Sequence, residues 1–222
     1  MKKARNAPRN KPDRRDGLKR AAIEKGPAWR PDSHLLVQMI PDFDNTPEWR
    51  AAAAAPQYSM WRDGPWDEER ARGAVAANII AKLRHPNVRK RIVIGDPFWL
   101  ALTINVVCSH HRWHQSGRIQ LSAMRSLRQR LTIDTLSAPE RSRLLDVMND
   151  ALLRNVDVGA GQEFRALARV ARTVTNDKLI AGLEDRVSTS KTRSVRINAQ
   201  RMLDYINGKP YSKYHNSFSA DA

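Results

Sequence analysis

Residues 116–154 read SGRIQLSAMRSLRQRLTIDTLSAPERSRLLDVMNDALLR, and this stretch decides the fold class. Leu121, Met124, Leu127 and Leu131 recur at spacings of three and four, the period of one helix face. Ser137, Ala138, Pro139 and Glu140 then form a capping box, in which the serine hydroxyl and the glutamate carboxylate each take a free backbone N–H of a helix start. Leu144, Leu145, Met148 and Leu152 carry the period on to Arg154. Two amphipathic helices in succession need further apolar surfaces to cover them, which predicts a mainly α protein.

The residues that follow this stretch supply such surfaces. Phe164, Leu167, Ala168 and Ala171 make one stripe, with Arg165, Arg169 and Arg172 in a row beside it. A short helix is expected over Asp177–Val187. Val195, Ala199, Met202 and Ile206 give a last helix, ended by Gly208 and Pro210. Residues 209–222 read as a loose tail.

On the N-terminal side, the apolar run from Phe98 into the string ending at His114 reads as a buried central helix started by Asp96 and Pro97, with a strand as the competing reading. Residues 88–94 could form a short β element. Trp66–Arg84 reads as a helix, with acids in its first turn and Lys82 and Arg84 in its last. Residues 32–65 are acidic and rich in proline and tryptophan. Within them Thr46, Pro47 and Glu48 mark a helix through Ala55. Trp49, Trp61 and Trp66 are expected to pin this segment onto the body, with a stacking platform for unpaired bases as the alternative. Together these readings give one helical body of about six to seven helices over 66–208, with 133–137 as the place where it would subdivide.

Residues 1–31 hold too little apolar surface to offset their ordering entropy, so a disordered arm is expected. It carries Lys2, Lys3, Arg5, Arg14 and Arg15. Residues 1–30 contain eleven Lys/Arg against three acids, and residues 70–133 contain twelve against Asp96 alone, within a protein of net charge +16. Such a field attracts polyanions, and nucleic acid is the natural one. The expected near contacts are Arg89, Lys90 and Arg91, then Arg112, Arg118, Arg125, Arg128 and Arg130, with Arg165, Arg169 and Arg172 as a second ridge. A helix-turn-helix reading places Phe98–Trp113 as support and Leu121–Leu131 in the groove, and a winged variant makes Arg118–Gln120 a small strand. In either, Ser122, Arg125, Arg128 and Gln129 would reach base edges.

Cys108, His110, His111 and His114 have spacings that a transition metal can use, but no second ligand pair lies elsewhere and the glutamate of an HExxH site is missing. A histidine and arginine cluster on phosphate, or an ordinary helix end favoured by the macrodipole, explains the same residues. Paired carboxylates such as Asp42 and Asp44 are candidates for holding a divalent ion, with a solvated turn of a proline-rich loop as the competing reading. Gly159, Ala160 and Gly161 lack the rest of a phosphate loop, and no nucleophile elbow or kinase signature occurs.

The one cysteine permits no internal disulfide. No apolar run reaches the roughly 20 residues that a membrane span needs, and no secretory leader is evident. The expectation is therefore a cytoplasmic protein, or one inside a virus particle, with no cofactor and no membrane partner. DNA or RNA is the expected partner and self-association a further option. Two other roles compete with simple binding. One is a virion or nucleocapsid-like assembly protein. The other is a metal-dependent enzyme acting on nucleic acid.

Overall fold

The structure is a computed structural model that describes residues 33–54, 68–110, 116–158 and 163–209. Among the described residues there are ten α-helices and no strand. They are α1 (Ser33–Gln38), α2 (Pro47–Ala54), α3 (Glu68–Ala81), α4 (Pro86–Ile94), α5 (Pro97–Cys108), α6 (Ser116–Leu131), α7 (Ala138–Val158), α8 (Phe164–Val174), α9 (Asp177–Thr189) and α10 (Arg193–Ile206). The mainly α class is as expected, but the helices outnumber the six to seven anticipated. The arm, Trp61, Trp66 and the tail from residue 210 onward lie outside the described residues.

The β element expected at 88–94 is helix α4. His85 caps it by accepting the Asn87 N–H on its imidazole, and Pro86 stands at the first helical position. Val88 and Ile92, four apart, are its buried residues, so its apolar period is that of a helix and not of a strand. Gly95 closes it in the left-handed region at φ 89°, with Gly95 N–H and Asp96 N–H returning to the carbonyls of Ile92 and Arg91. Asp96 then caps α5 by accepting the Trp99 N–H at 3.1 Å. The two helices meet at 102°.

Helix α5 stops at Cys108, well short of His114, because Ser109 is extended. Its free terminal carbonyls are taken from outside: Arg154 Nη2 donates to Val107 O at 2.8 Å, and Gln120 Nε2 donates to Val106 O and Ser109 O. No single helix among the described residues is long and apolar enough to cross a membrane.

Helix α6 is the hub. It packs on α4, α5, α7 and α8, and Ala123, Met124, Ser126 and Leu127 have no exposed surface. Ser122, buried, donates its hydroxyl to Leu83 O at 3.1 Å and ties α6 to the turn that follows α3. The capping box before α7 is half formed. Glu140 N–H reaches Ser137 Oγ at 3.4 Å, while Glu140 Oε1 accepts from Arg130 instead. Helices α9 and α10 pack on each other and on α7. One contiguous cluster of buried apolar residues runs from Leu36 to Leu203.

Helices α1 and α2 lie against α3. A Cβ on Gly73 would stand 2.6 Å from Ser33 Cβ, so the absence of a side chain there lets α1 approach. Thr46 caps α2 as expected, accepting the Trp49 N–H at 3.2 Å. Trp49 is half-buried, 5.4 Å from Phe43, and the Arg72 guanidinium lies 4.9 Å from its ring centre. That ring is occupied by packing.

Gly95 is the most constrained corner. A Cβ there would come within 2.6 Å of Arg130 Nη1, in a backbone conformation that L side chains rarely adopt. Gly95→Ala should therefore lower stability by roughly 1–3 kcal/mol, read as a shifted denaturation midpoint with an unchanged slope. An unchanged midpoint would show that the corner relaxes freely.

Candidate nucleic-acid interface

Helices α4, α6 and α8 together hold ten Lys/Arg and no Asp or Glu. They are also linked in space, since α4 packs on α6 and α6 packs on α8. The ten are not equivalent, and burial and partners separate them.

On α8, Arg165, Arg169 and Arg172 are exposed. At about 100° per residue they fall within about 60° of one another. The opposite face is locked into the core by Phe164, Leu167, Val170 and Val174, each at most 5% exposed. On α6, Arg118, Arg125 and Gln129 are exposed and lie within about 40° of one another, while Arg128 is half-buried at the edge of that strip. Neither Arg118, Arg125, Arg128, Arg169 nor Arg172 has an ion-pair partner among the described residues.

Arg130 is different. About 140° round the helix from Arg125, its side chain is only 12% exposed. It donates from Nε and Nη2 to Glu140 Oε1 at 2.8 and 2.5 Å, and from Nη1 to Val93 O at 2.9 Å. It is a packing residue. The phase of the α6 leucines carries the signal for this, because a cation that far from the exposed strip must point toward a neighbouring helix.

Helix α4 brings Arg89, Lys90 and Arg91. Lys90 is exposed, and Arg89 is half-buried with its Nε covered and lacking a hydrogen-bond partner among the described residues. Arg91 donates to Asp96 Oδ2 at 2.7 Å and lies 5.8 Å from the Trp99 ring centre. Burial pushes the Asp96 carboxyl up, but the Trp99 amide and the Arg91 guanidinium outweigh it and hold it below the ordinary aspartate range.

The winged reading does not match the backbone, and in the helix-turn-helix reading the supporting helix ends at Cys108. Arg118–Gln120 is part of α6 and not a strand, and the buried hydroxyl of Ser122 cannot reach a base. Gln129 and Arg125 remain the outward polar groups of that set. Lys2, Lys3, Arg5, Arg14, Arg15 and Arg112 lie outside the described residues, as do His111 and His114. Cys108 and His110 are exposed, and His110 follows the end of α5, so the helical i, i+4 pairing with His114 loses its basis. No group of three or more potential metal ligands occurs among the described residues. Asp42 accepts from Asn45 Nδ2 at 2.8 Å in a left-handed turn, and Asp44 pairs with Arg72 of α3 at 2.6 Å, so one carboxylate serves the local turn and the other ties it to α3.

Comparison with protein-family models, with curated proteins and with solved structures finds no match.

The two kinds of arginine should separate by experiment. Arg130→Ala leaves the Glu140 carboxylate and the Val93 carbonyl without their partner and should cost about 2–4 kcal/mol, whereas Arg125→Gln should stay within about 0.5 kcal/mol. Equal midpoints in urea would contradict this division.

Asp96 gives a pH signature. Its carboxylate is favoured in the folded state, so its stabilisation is complete above the pKa of an unfolded aspartate, roughly 3.9, and is lost as pH falls through the lower folded value. The stability gap between the native protein and Asp96→Ala, about 1 kcal/mol at pH 7, should close in that acid range. A gap independent of pH would mean that the charge plays no part.

Proposed function

We propose that this protein acts by binding nucleic acid, gripping the phosphate backbone through the cationic face of α4, α6 and α8. The observation that carries this reading is the set of exposed cations on these helices: Lys90, Arg118, Arg125, Arg169 and Arg172 have no ion-pair partner among the described residues, whereas Arg91 and Arg130 are held by Asp96 and Glu140. Several cations elsewhere are neutralised at short range. Lys178 on α9 pairs with Asp146 and Asp150 of α7, and Arg186 with Asp157. Guanidiniums without carboxylate partners donate freely to phosphate oxygens, and each phosphate they neutralise releases condensed counterion. The basic residues of the 1–31 arm add to the same attraction.

The reading predicts that the logarithm of affinity falls linearly with the logarithm of salt, by about 0.9 per phosphate neutralised. The charge reversals Arg169→Glu and Arg172→Glu together should weaken binding by about tenfold or more at low salt. Lys178→Glu, which alters a cation already neutralised, should have little effect. Binding titrations that stay flat between low and high salt would end this proposal.

A further inference from the structure

Asn207 is the only asparagine in the sequence that is followed by glycine. In such a pair the side-chain amide carbon lies within reach of the next backbone nitrogen, and closure to a succinimide ring is limited mainly by the bulk of the second residue. Glycine, with no Cβ, presents the least. Asn207 and Gly208 are both exposed, and they close the C-terminal end of α10. Gly208 lies in the left-handed region at φ 84°, and a Cβ built on it would meet no atom within 4 Å.

Three backbone bonds hold this end. Asn207 N–H donates to Leu203 O at 2.9 Å, Gly208 N–H to Tyr205 O at 3.2 Å, and Lys209 N–H to Asp204 O at 2.9 Å. The longest of the three engages the nitrogen that ring closure needs. With Asn207 at ψ 11°, the peptide must also turn before that nitrogen meets Cγ, so the chemistry runs through fraying of the last turn, where opening costs least. The Asn207 side chain itself has no hydrogen-bond partner among the described residues. Other asparagines are better protected. The side-chain amides of Asn45, Asn105, Asn149, Asn155 and Asn198 each donate a hydrogen bond. Asn78 and Asn87 precede Ile79 and Val88, whose branched Cβ atoms crowd the attack.

We propose that Asn207 is a site of spontaneous deamidation, with the Gly208 nitrogen as its nucleophile. The nitrogen gives its proton to hydroxide and attacks Asn207 Cγ; the new N–Cγ bond closes the succinimide, and the side-chain nitrogen leaves as ammonia. Water then opens the ring at one or other carbonyl, giving aspartate or isoaspartate at position 207. Either product sets a carboxylate at the negative end of the α10 dipole. It also stands three residues from Asp204, whose Oδ1 already takes Lys209 Nζ at 2.8 Å and Gln200 Nε2 at 3.0 Å. The isoaspartyl form adds a carbon to the main chain, which shifts the Gly208 and Lys209 amides out of register with their carbonyls. The helix end is therefore loosened by its own product. This chemistry is independent of the phosphate-binding reading.

The test incubates the full-length protein, folded and urea-unfolded in parallel, in mildly alkaline buffer at physiological temperature, and follows each peptide by mass spectrometry. In the folded protein the peptide spanning residue 207 should gain the mass of an amide turned to acid, as two chromatographic products, before any other described asparagine converts. Gly208→Ala should slow the conversion several-fold in the unfolded chain, and Asn207→Gln should abolish it in both. Asn207→Asp should lower the urea midpoint, as the aged native protein does. An Asn207 amide still intact in the folded protein after several times the period in which the unfolded chain converts overturns the proposal. So does earlier conversion at another described asparagine, or a rate in the unfolded chain that Gly208→Ala leaves unchanged.

Discussion

Three helix ends converge on one guanidinium. Arg130, near the end of α6, holds Glu140 in the first turn of α7 and the Val93 carbonyl in the last turn of α4, and lies against the bare backbone of Gly95. Each partner answers a need of the others. The charge, largely removed from water, requires the carboxylate; the carbonyl, at a helix end, requires a donor; and the donor reaches it only because residue 95 has no side chain. The angle at which α4 leaves α6 follows from this junction, and with it the placement of Arg89, Lys90 and Arg91.

Arginine serves two purposes in this protein, and burial tells them apart. Arg141 donates to the carbonyls of Leu131 and Ile133 beyond the end of α6, Arg154 to Val107 at the end of α5, and Arg196 to Ser190 after α9. Each places a delocalised cation at the negative end of a helix dipole, where several donors can be used at once. Such residues count toward the net charge of +16 but are committed to the fold. The exposed cations without an ion pair among the described residues include Arg169 and Arg172 of α8, Arg118 and Arg125 of α6, Lys90, Arg143 and Lys191.

This division sets how much could be read from the sequence alone. Helices α6, α7, α8 and α10 are legible because each buries one face, so spacing alone reveals them. The Thr46 and Asp96 caps are legible because their bonds are local, and the Arg165 row because it needs only helical periodicity. The helix at 86–94 is harder, since a run of three cations interrupts Val88 and Ile92 and the apolar period rests on two residues. The end of α5 at Cys108 depends on Gln120 and Arg154, both remote in sequence, and no local signal announces it. Glu140 shows the limit most plainly: the local rule assigns its carboxylate to a capping box, but Arg130 offers a charged donor in a partly buried setting, which is the stronger bond. Asn149 likewise gives no local sign of its role, which is to sit fully buried in α7 and donate to the side chain of Asn176 that caps α9.

A row of cations on one helix is costly to keep, since like charges three and four apart oppose its formation by about 0.2–0.5 kcal/mol per pair. On α8 that repulsion is outweighed because Leu167, Ala168, Val170 and Ala171 are almost wholly buried, at about 25 cal/mol for each Å² of apolar surface removed from water. Core packing can thus sustain an arrangement that electrostatics alone would relax by interspersing carboxylates, as the α7–α9 seam does. Paired charges also cancel within a few ångströms, whereas unpaired ones on neighbouring helices add their fields out to a Debye length, about 8 Å at physiological salt. Packing in the core thus decides which charges remain outside.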